Sequence, residues 1–247
     1  MPDAVWVYGV RDGAAASAPA GRGVDPAHPI ELVHHRGLAA VTSLVDRDEF
    51  GEEALRETLE DLDKLEALAR AHERVLDDAL HRGAVVPLRI CTIYASGERV
   101  REMLEREHEP LRDALERLRG KSEWGVKAYA PAAEPQAATA AKAPASGAEY
   151  LARKSAARSA ADTSRQALDA AVETVYERLA ERTAGAVLSP AQDRRLTGRD
   201  GEMVLNAAYL VADADIPAFH SLVAELEGSY GVELEVTGPW PAYHFSG

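Results

Sequence analysis

Several short stretches of this chain carry residue types capable of chemistry, and each lacks a partner that the chemistry requires. "RGKS" at residues 119–122 has the lysine and serine of a phosphate-binding loop, but that motif needs glycine five positions before Gly120, where Leu115 stands. The context is also inverted, because Gly120 follows a predicted helix and precedes a predicted strand, so it reads as a helix stop. His72-Glu73 would begin a zinc-protease helix only with histidine at position 76, which is Leu76. His34 and His35 are neighbours on a predicted strand and point to opposite faces, so they do not share a metal. Cys91 lies in an apolar run, the usual place of a small buried hydrophobe, with no base placed beside it. Arg89 lies in the same run, and an always-charged group in a buried strand must find a carboxylate or several carbonyls. It is either one half of a structural ion pair or an anchor for a ligand's or partner's carboxylate. Aspartate and glutamate number 41, but they fall on the charged faces of predicted helices, and abundance singles out no acid pair. No catalytic constellation, metal site or cofactor site emerges.

Composition narrows the classes further. A formal net charge of -13 over 247 residues gives no general attraction to nucleic acid or anionic lipid. The single cysteine excludes an intrachain disulfide and fits an intracellular protein. There is no signal-type apolar stretch at the start, and no window reaches the roughly 18 to 20 apolar residues of a membrane span. A cytoplasmic protein is expected. With 46% hydrophobic residues, packed cores are expected too.

The elements that must position any site follow from periodicity. "AVWVYGV" at 4–10 reads as a strand leading into the Gly/Ala/Pro-rich 11–23, and "IELVHHRG" with "LAAVTSLV" reads as a hairpin turning at Arg36-Gly37. From Asp46 the period becomes helical through Leu55, Leu59, Leu62, His72 and Leu80, predicting one long helix that Gly83 ends. "AVVPLRICTIYA" predicts a continuous strand buried on both faces. A helix over 98–118, kinked or restarted at Pro110, and a strand over 123–130 complete an order βββαβαβ. Residues 131–147 hold three prolines and almost no large apolar side chain, and read as a linker. A long helix over 148–182 follows, then a short apolar run "AVLS", a strand "EMVLNAAYLVA", a helix stopped at Gly231, and a strand "VELEVTGPW". The expectation is an α+β protein of two domains, 1–130 and 148–247, with ferredoxin-like antiparallel sheets, covering helices and long amphipathic helices.

Trp124 and Trp240 each sit in or beside a short strand near the end of a predicted domain. Either the indole closes its own core, or a ring or strand edge offers a docking surface. The terminal "VTGPWPAYHF" is unusual for a chain end, where constraint generally fades. Its prolines stiffen it, and it is expected to lay Trp240, Tyr243 and Phe245 as a lid across the smaller domain.

These stretches together resemble the gas vesicle protein F/L family over nearly the whole chain, apart from 11–29 and 131–147. "VWVYGV" is similar to that family's opening strand, "VVPLRICTIY" to its Pro-Leu/Met-Arg strand, "EWGVKAY" to its Glu-Trp-Gly-Val-Lys strand, "AEYLARK" to the start of its second-domain helix, and "MVLNAAYLV" with the terminal segment to its closing strands. The chain departs from the family where Ile90-Cys91 replace Phe-Gly and Ala242 replaces proline, both readable as packing variants. The resemblance implies a non-enzymatic assembly protein of the gas vesicle, chaperone-like, with the hydrophobic shell protein and other accessory proteins as partners. A shell subunit with a large apolar face aggregates if unattended. An apolar groove or sheet edge that holds it, on a protein whose negative surface keeps the complex in solution, is the expected mechanism. The alternative from another class is a small-molecule-binding enzyme or sensor on ferredoxin-like domains. A deep pocket with convergent polar groups, for example around Arg89, would mark it.

Overall fold

In the computed structural model, residues 3–14, 17–130, 146–193 and 201–247 are described. The chain forms two compact units, one of residues 1–123 with 239–247 and the other of residues 124–238. It passes from one to the other twice.

The first unit is built around β1 (Ala4–Asp12), whose run of β-branched and aromatic residues is buried along almost all its length. β2 (Ile30–His35) and β3 (Leu38–Val45) form the expected hairpin, turning at Arg36 (φ 45) and Gly37 (φ 81), both in the left-handed region that a tight two-residue turn demands. The sheet order is β2-β3-β1-β4, with β4 (Val85–Pro87) and β5 (Ile93–Tyr94) both antiparallel to β1. Gly9 marks a register shift in β1, and there β4 comes so close that an added Cβ would lie 2.8 Å from the Val86 carbonyl oxygen.

The expected continuous strand over 84–95 is corrected. Pro87 has no N–H to extend the ladder, Cys91 takes a left-handed φ of 64, and the Thr92 amide and hydroxyl both donate to the Arg89 carbonyl, closing a turn between β4 and β5. Arg89 therefore stands exposed on a turn, not in a buried strand. The single long helix is likewise divided into α1 (Arg47–Phe50), α2 (Glu52–Glu60) and α3 (Leu62–His81). Asp61 breaks it by turning its carboxylate onto the amides of Asp63 and Lys64, which caps α3 and competes with helix continuation. Restart at a proline holds in outline: α4 (Gly97–Arg106) ends before α5 (His108–Leu118), so Pro110 falls in the first turn of α5, where its missing N–H costs no helix bond.

α3 packs Leu68, Val75, Leu76 and Ala79 against Ala4, Trp6 and Tyr8, while α4 and α5 lie against the strands β1 to β5. Each large apolar side chain buried this way contributes about 1.5–3 kcal/mol. The α3 side also holds polar atoms. The Trp6 indole donates to His72 Nδ1 at 3.0 Å, and Val24 donates its amide to the Tyr8 hydroxyl, which is paired with Ser43 Oγ at 2.8 Å. Because indole can only donate, Nδ1 is the acceptor, and the proton of neutral His72 sits on Nε2. Burial drives the His72 pKa down to about 4, partly offset by the Leu88 carbonyl.

The second unit carries β6 (Lys121–Tyr129), α6 (Gly147–Ala180), β7 (Gly185–Leu188), β8 (Met203–Ala212), a short 3-10 turn at Asp213–Asp215, α7 (Ile216–Tyr230) and β9 (Glu233–Trp240). Its sheet order is β7-β8-β6-β9. The strand expected to close the N-terminal sheet is thus an interior strand of the other one, with only its first residues in the first unit. Most of the linker predicted over 131–147 lies outside the described residues, and Gly147 already belongs to α6, which Ser146 caps through the Glu149 amide. The core gathers Trp124, Val126, Val175, Leu179, Tyr209 and Phe219. Residues 150–167 of α6 are exposed on every side.

Candidate interaction surfaces

The terminal segment is ordered by polar contacts to carboxylates and an arginine of the first unit. Glu123, only 4% exposed, accepts from His244 twice, from its backbone amide at 2.9 Å and in a 2.7 Å contact with Nδ1. The Tyr243 hydroxyl donates to Glu73 Oε1 on α3 at 2.7 Å. Arg117 on α5 donates to the carbonyls of Phe245 and Gly247. Burial raises the pKa of Glu73, the Tyr243 hydrogen bond opposes this, and Oε2 of the same carboxyl is buried with no hydrogen-bond partner among the described residues. Desolvation first and Glu73 second push the Tyr243 hydroxyl far above its ordinary range. The lid expected across the smaller domain is corrected accordingly: its contacts to Glu73, Arg117 and Glu123 all fall within the first unit. The reason is chemical, because desolvated carboxylates need donors and the tail supplies them.

Of the residues predicted from sequence, Trp240 and Tyr243 keep 41% and 38% of their surface and Phe245 is half-buried. Trp124 is 8% exposed and meets His220 edge-on, with ring centroids 4.7 Å apart, in the core of the second unit. Arg89 stands exposed in the turn before β5. Trp124 belongs to the second unit and the other four to the first, so neither unit contains all five. Sequence reasoning missed Glu73, Glu123 and Arg117, which hold the tail. The one available signal was an acid directly before Trp124 in the strand.

Three hollows are relevant to binding. One of about 370 Å³ lies at the β2–β3 turn, with Arg36, Arg112 and Arg119 beside Asp12 and Glu116. Its charges are largely matched, since Arg36 contacts Glu105 at 2.7 Å and Arg119 contacts Asp12 at 3.6 Å. Another, of about 700 Å³, lies in the second unit between α6 and α7, rimmed by Arg178, Arg182 and Glu225. The third, of about 540 Å³, is a trough formed by α1, α2 and α3, floored by Val24, Phe50, Leu55 and Leu68. Leu59 and Leu62, at the α2–α3 junction, are 46% and 79% exposed. No group of three or more histidine, cysteine, aspartate or glutamate side chains suited to a metal occurs among the described residues. None of the described helices is long and apolar enough to cross a membrane.

The model of the family described as "Gas vesicle synthesis protein GvpL/GvpF" matches residues 4–247. Gas vesicle protein L of Streptomyces sp. (strain CB03234) is 40% identical over 226 residues, covering 89% of this chain and 84% of that protein. Gas vesicle protein F of the same organism is 27% identical over 250 residues, covering 97% and 98%. The crystal structure of GvpF from Anabaena sp. PCC7120 superposes with a TM-score of 0.71 at 19% identity, over 99% of this chain and 96% of that one, which shows a shared fold. The match along nearly the whole length, in sequence and in fold, makes this chain a member of the GvpL/GvpF gas vesicle family, with a gas-vesicle-associated role.

Proposed function

We propose that this chain is an accessory protein of gas vesicle assembly that binds hydrophobic shell subunits, together with other accessory proteins, and delivers or nucleates them from the cytoplasm. The observation that carries the reading is the open apolar trough of α1–α3, together with Leu59 and Leu62 exposed at the α2–α3 junction, on a member of this family with a net charge of -13. Exposed apolar surface of this kind marks a binding site, and the surrounding charge keeps a loaded complex in solution. The higher identity to the L protein than to the F protein of the same organism supports an L-type role.

A small-molecule enzyme reading called for a deep pocket with convergent polar groups, around Arg89 for example, and that side chain stands exposed on a turn. The test is co-purification. Tagged protein co-expressed with the shell subunit should bring it down in soluble form, and a shell subunit that is absent from the eluate and aggregates as it does alone would refute the reading.

A further inference from the structure

We infer that the α1–α3 trough is the docking site for a basic amphipathic helix of a partner protein, an assignment that rests on the reading of this chain as a holder of partners. The trough is helix-lined and open to solvent. Its floor is apolar, and α2, one of its walls, buries none of its own residues, so the wall is lightly held. No strand edge borders it, which makes a helix laid into the groove the matching mode of recognition, with anchors at i, i+3, i+4 and i+7 filling the space over Phe50, Leu55 and Leu68.

Charge selects the occupant. Residues 46–66 contain ten acids and three bases, so this short stretch supplies a net -7 of the chain's -13. Asp46 and Asp61 are engaged as helix caps, and Glu52 and Asp61 face Arg56 and Lys64 at 3.6 and 3.8 Å. Of the charged residues that line the trough, Lys64 is matched by Asp61, whereas Glu49 and Glu57 have no ion-pair partner among the described residues. A helix with lysine or arginine flanking its apolar stripe satisfies both the floor and the rim, whereas an acidic helix is repelled.

The probe is a fluorescein-labelled synthetic helix of about 18 residues, leucine at the helical anchor spacing and lysine elsewhere, with a glutamate-for-lysine version as control. Fluorescence anisotropy with the full chain should show saturable binding of the lysine helix, and little of the glutamate helix. Ala67→Arg, at an exposed position on the α3 wall of the trough, should weaken binding about tenfold by filling the groove and repelling the lysine helix. Glu49→Gln and Glu57→Gln together should weaken it several-fold in dilute salt, with the difference shrinking as salt rises. Equal affinity for both helices, or wild-type affinity in both the Ala67→Arg and the double variants, overturns the assignment. Shell co-purification by the same Ala67→Arg protein separates the two readings. Undiminished shell capture alongside weakened peptide binding sustains the trough as a basic-helix site and places shell capture elsewhere on an accessory protein. Peptide binding by a wild-type protein that captures no shell subunit overturns that role and sustains the trough.

Discussion

His72 sets a pH dependence that can be worked from the structure. The ring is 1% exposed, and its Nδ1 holds the Trp6 indole proton at 3.0 Å. A second proton would have to displace the Trp6 hydrogen bond and charge a desolvated ring, so the pKa falls from 6.5 to about 4. Above about pH 6.5 the imidazole is neutral both folded and unfolded, and the stability it confers is fully present. As pH falls from there toward about 4, the unfolded chain takes up a proton that the folded chain refuses, and that stability drains away. Below the folded pKa nothing further is lost. The shift corresponds to about 3 kcal/mol, a sizeable part of the roughly 5–15 kcal/mol that holds a domain together.

The measurement is urea unfolding read by Trp6 fluorescence, with Trp124→Phe and Trp240→Phe in the background so that only the first unit reports. His72→Gln is the comparison, because glutamine keeps an acceptor for the indole and cannot titrate. Other carboxylates that protonate over the same interval contribute to both proteins and cancel in the difference. The histidine protein should lose about 3 kcal/mol more than the glutamine variant between pH 7 and pH 4. Parallel stability curves would show that His72 is solvated or already charged in the folded state, and the buried-acceptor account of this core would be wrong.

Two further outcomes test the packing. Ending the chain after Trp240 keeps β9 whole, removes the donors from Glu73 and Glu123, and should destabilise the first unit by about 1–3 kcal/mol while leaving the second unit's melting unchanged; loss confined to the second unit would contradict the contacts of Tyr243 and His244. Gly9→Ala places a methyl 2.8 Å from the Val86 carbonyl oxygen and 2.9 Å from Val85 Cγ2, and should cost about 1–3 kcal/mol in thermal or chemical unfolding; a wild-type melting temperature would mean that β4 does not press on β1.

What could be read from the sequence was local. The β2–β3 hairpin was legible because two strand-like runs flank a two-residue turn at Arg36-Gly37, and α7 because its apolar stripe stops at Gly231. Asp61 was not legible as a break, because a capping acid and a solvent-facing acid look alike inside an amphipathic pattern. Cys91 hid the turn between β4 and β5 for a related reason: nothing in a cysteine's type announces a positive φ. The membership of β6 could not be read at all, since its sheet neighbours β8 and β9 come from far along the chain and periodicity carries no information about pairing at that distance. At the terminus, the aromatics drew attention and the residues that hold it in place did not. Glu73 sits in a helix full of acids, and only its partial burial and its bond to Tyr243 distinguish it.

That last point changes what the aromatic tail means. If ring burial were what ordered the segment, Trp240 and Tyr243 would be covered, yet each keeps more than a third of its surface. What is deeply covered is the carboxylate of Glu123, together with Pro241 and Ala242. The prolines restrict the backbone before any contact forms, which lowers the entropy lost on docking. The amide of His244, the hydroxyl of Tyr243 and the guanidinium of Arg117 then match three groups that would otherwise lie desolvated or unpaired. The aromatic faces left in water are a consequence of this mode of attachment, so loss of a ring should matter less to folding than loss of the tyrosine hydroxyl or of the Glu123 carboxylate.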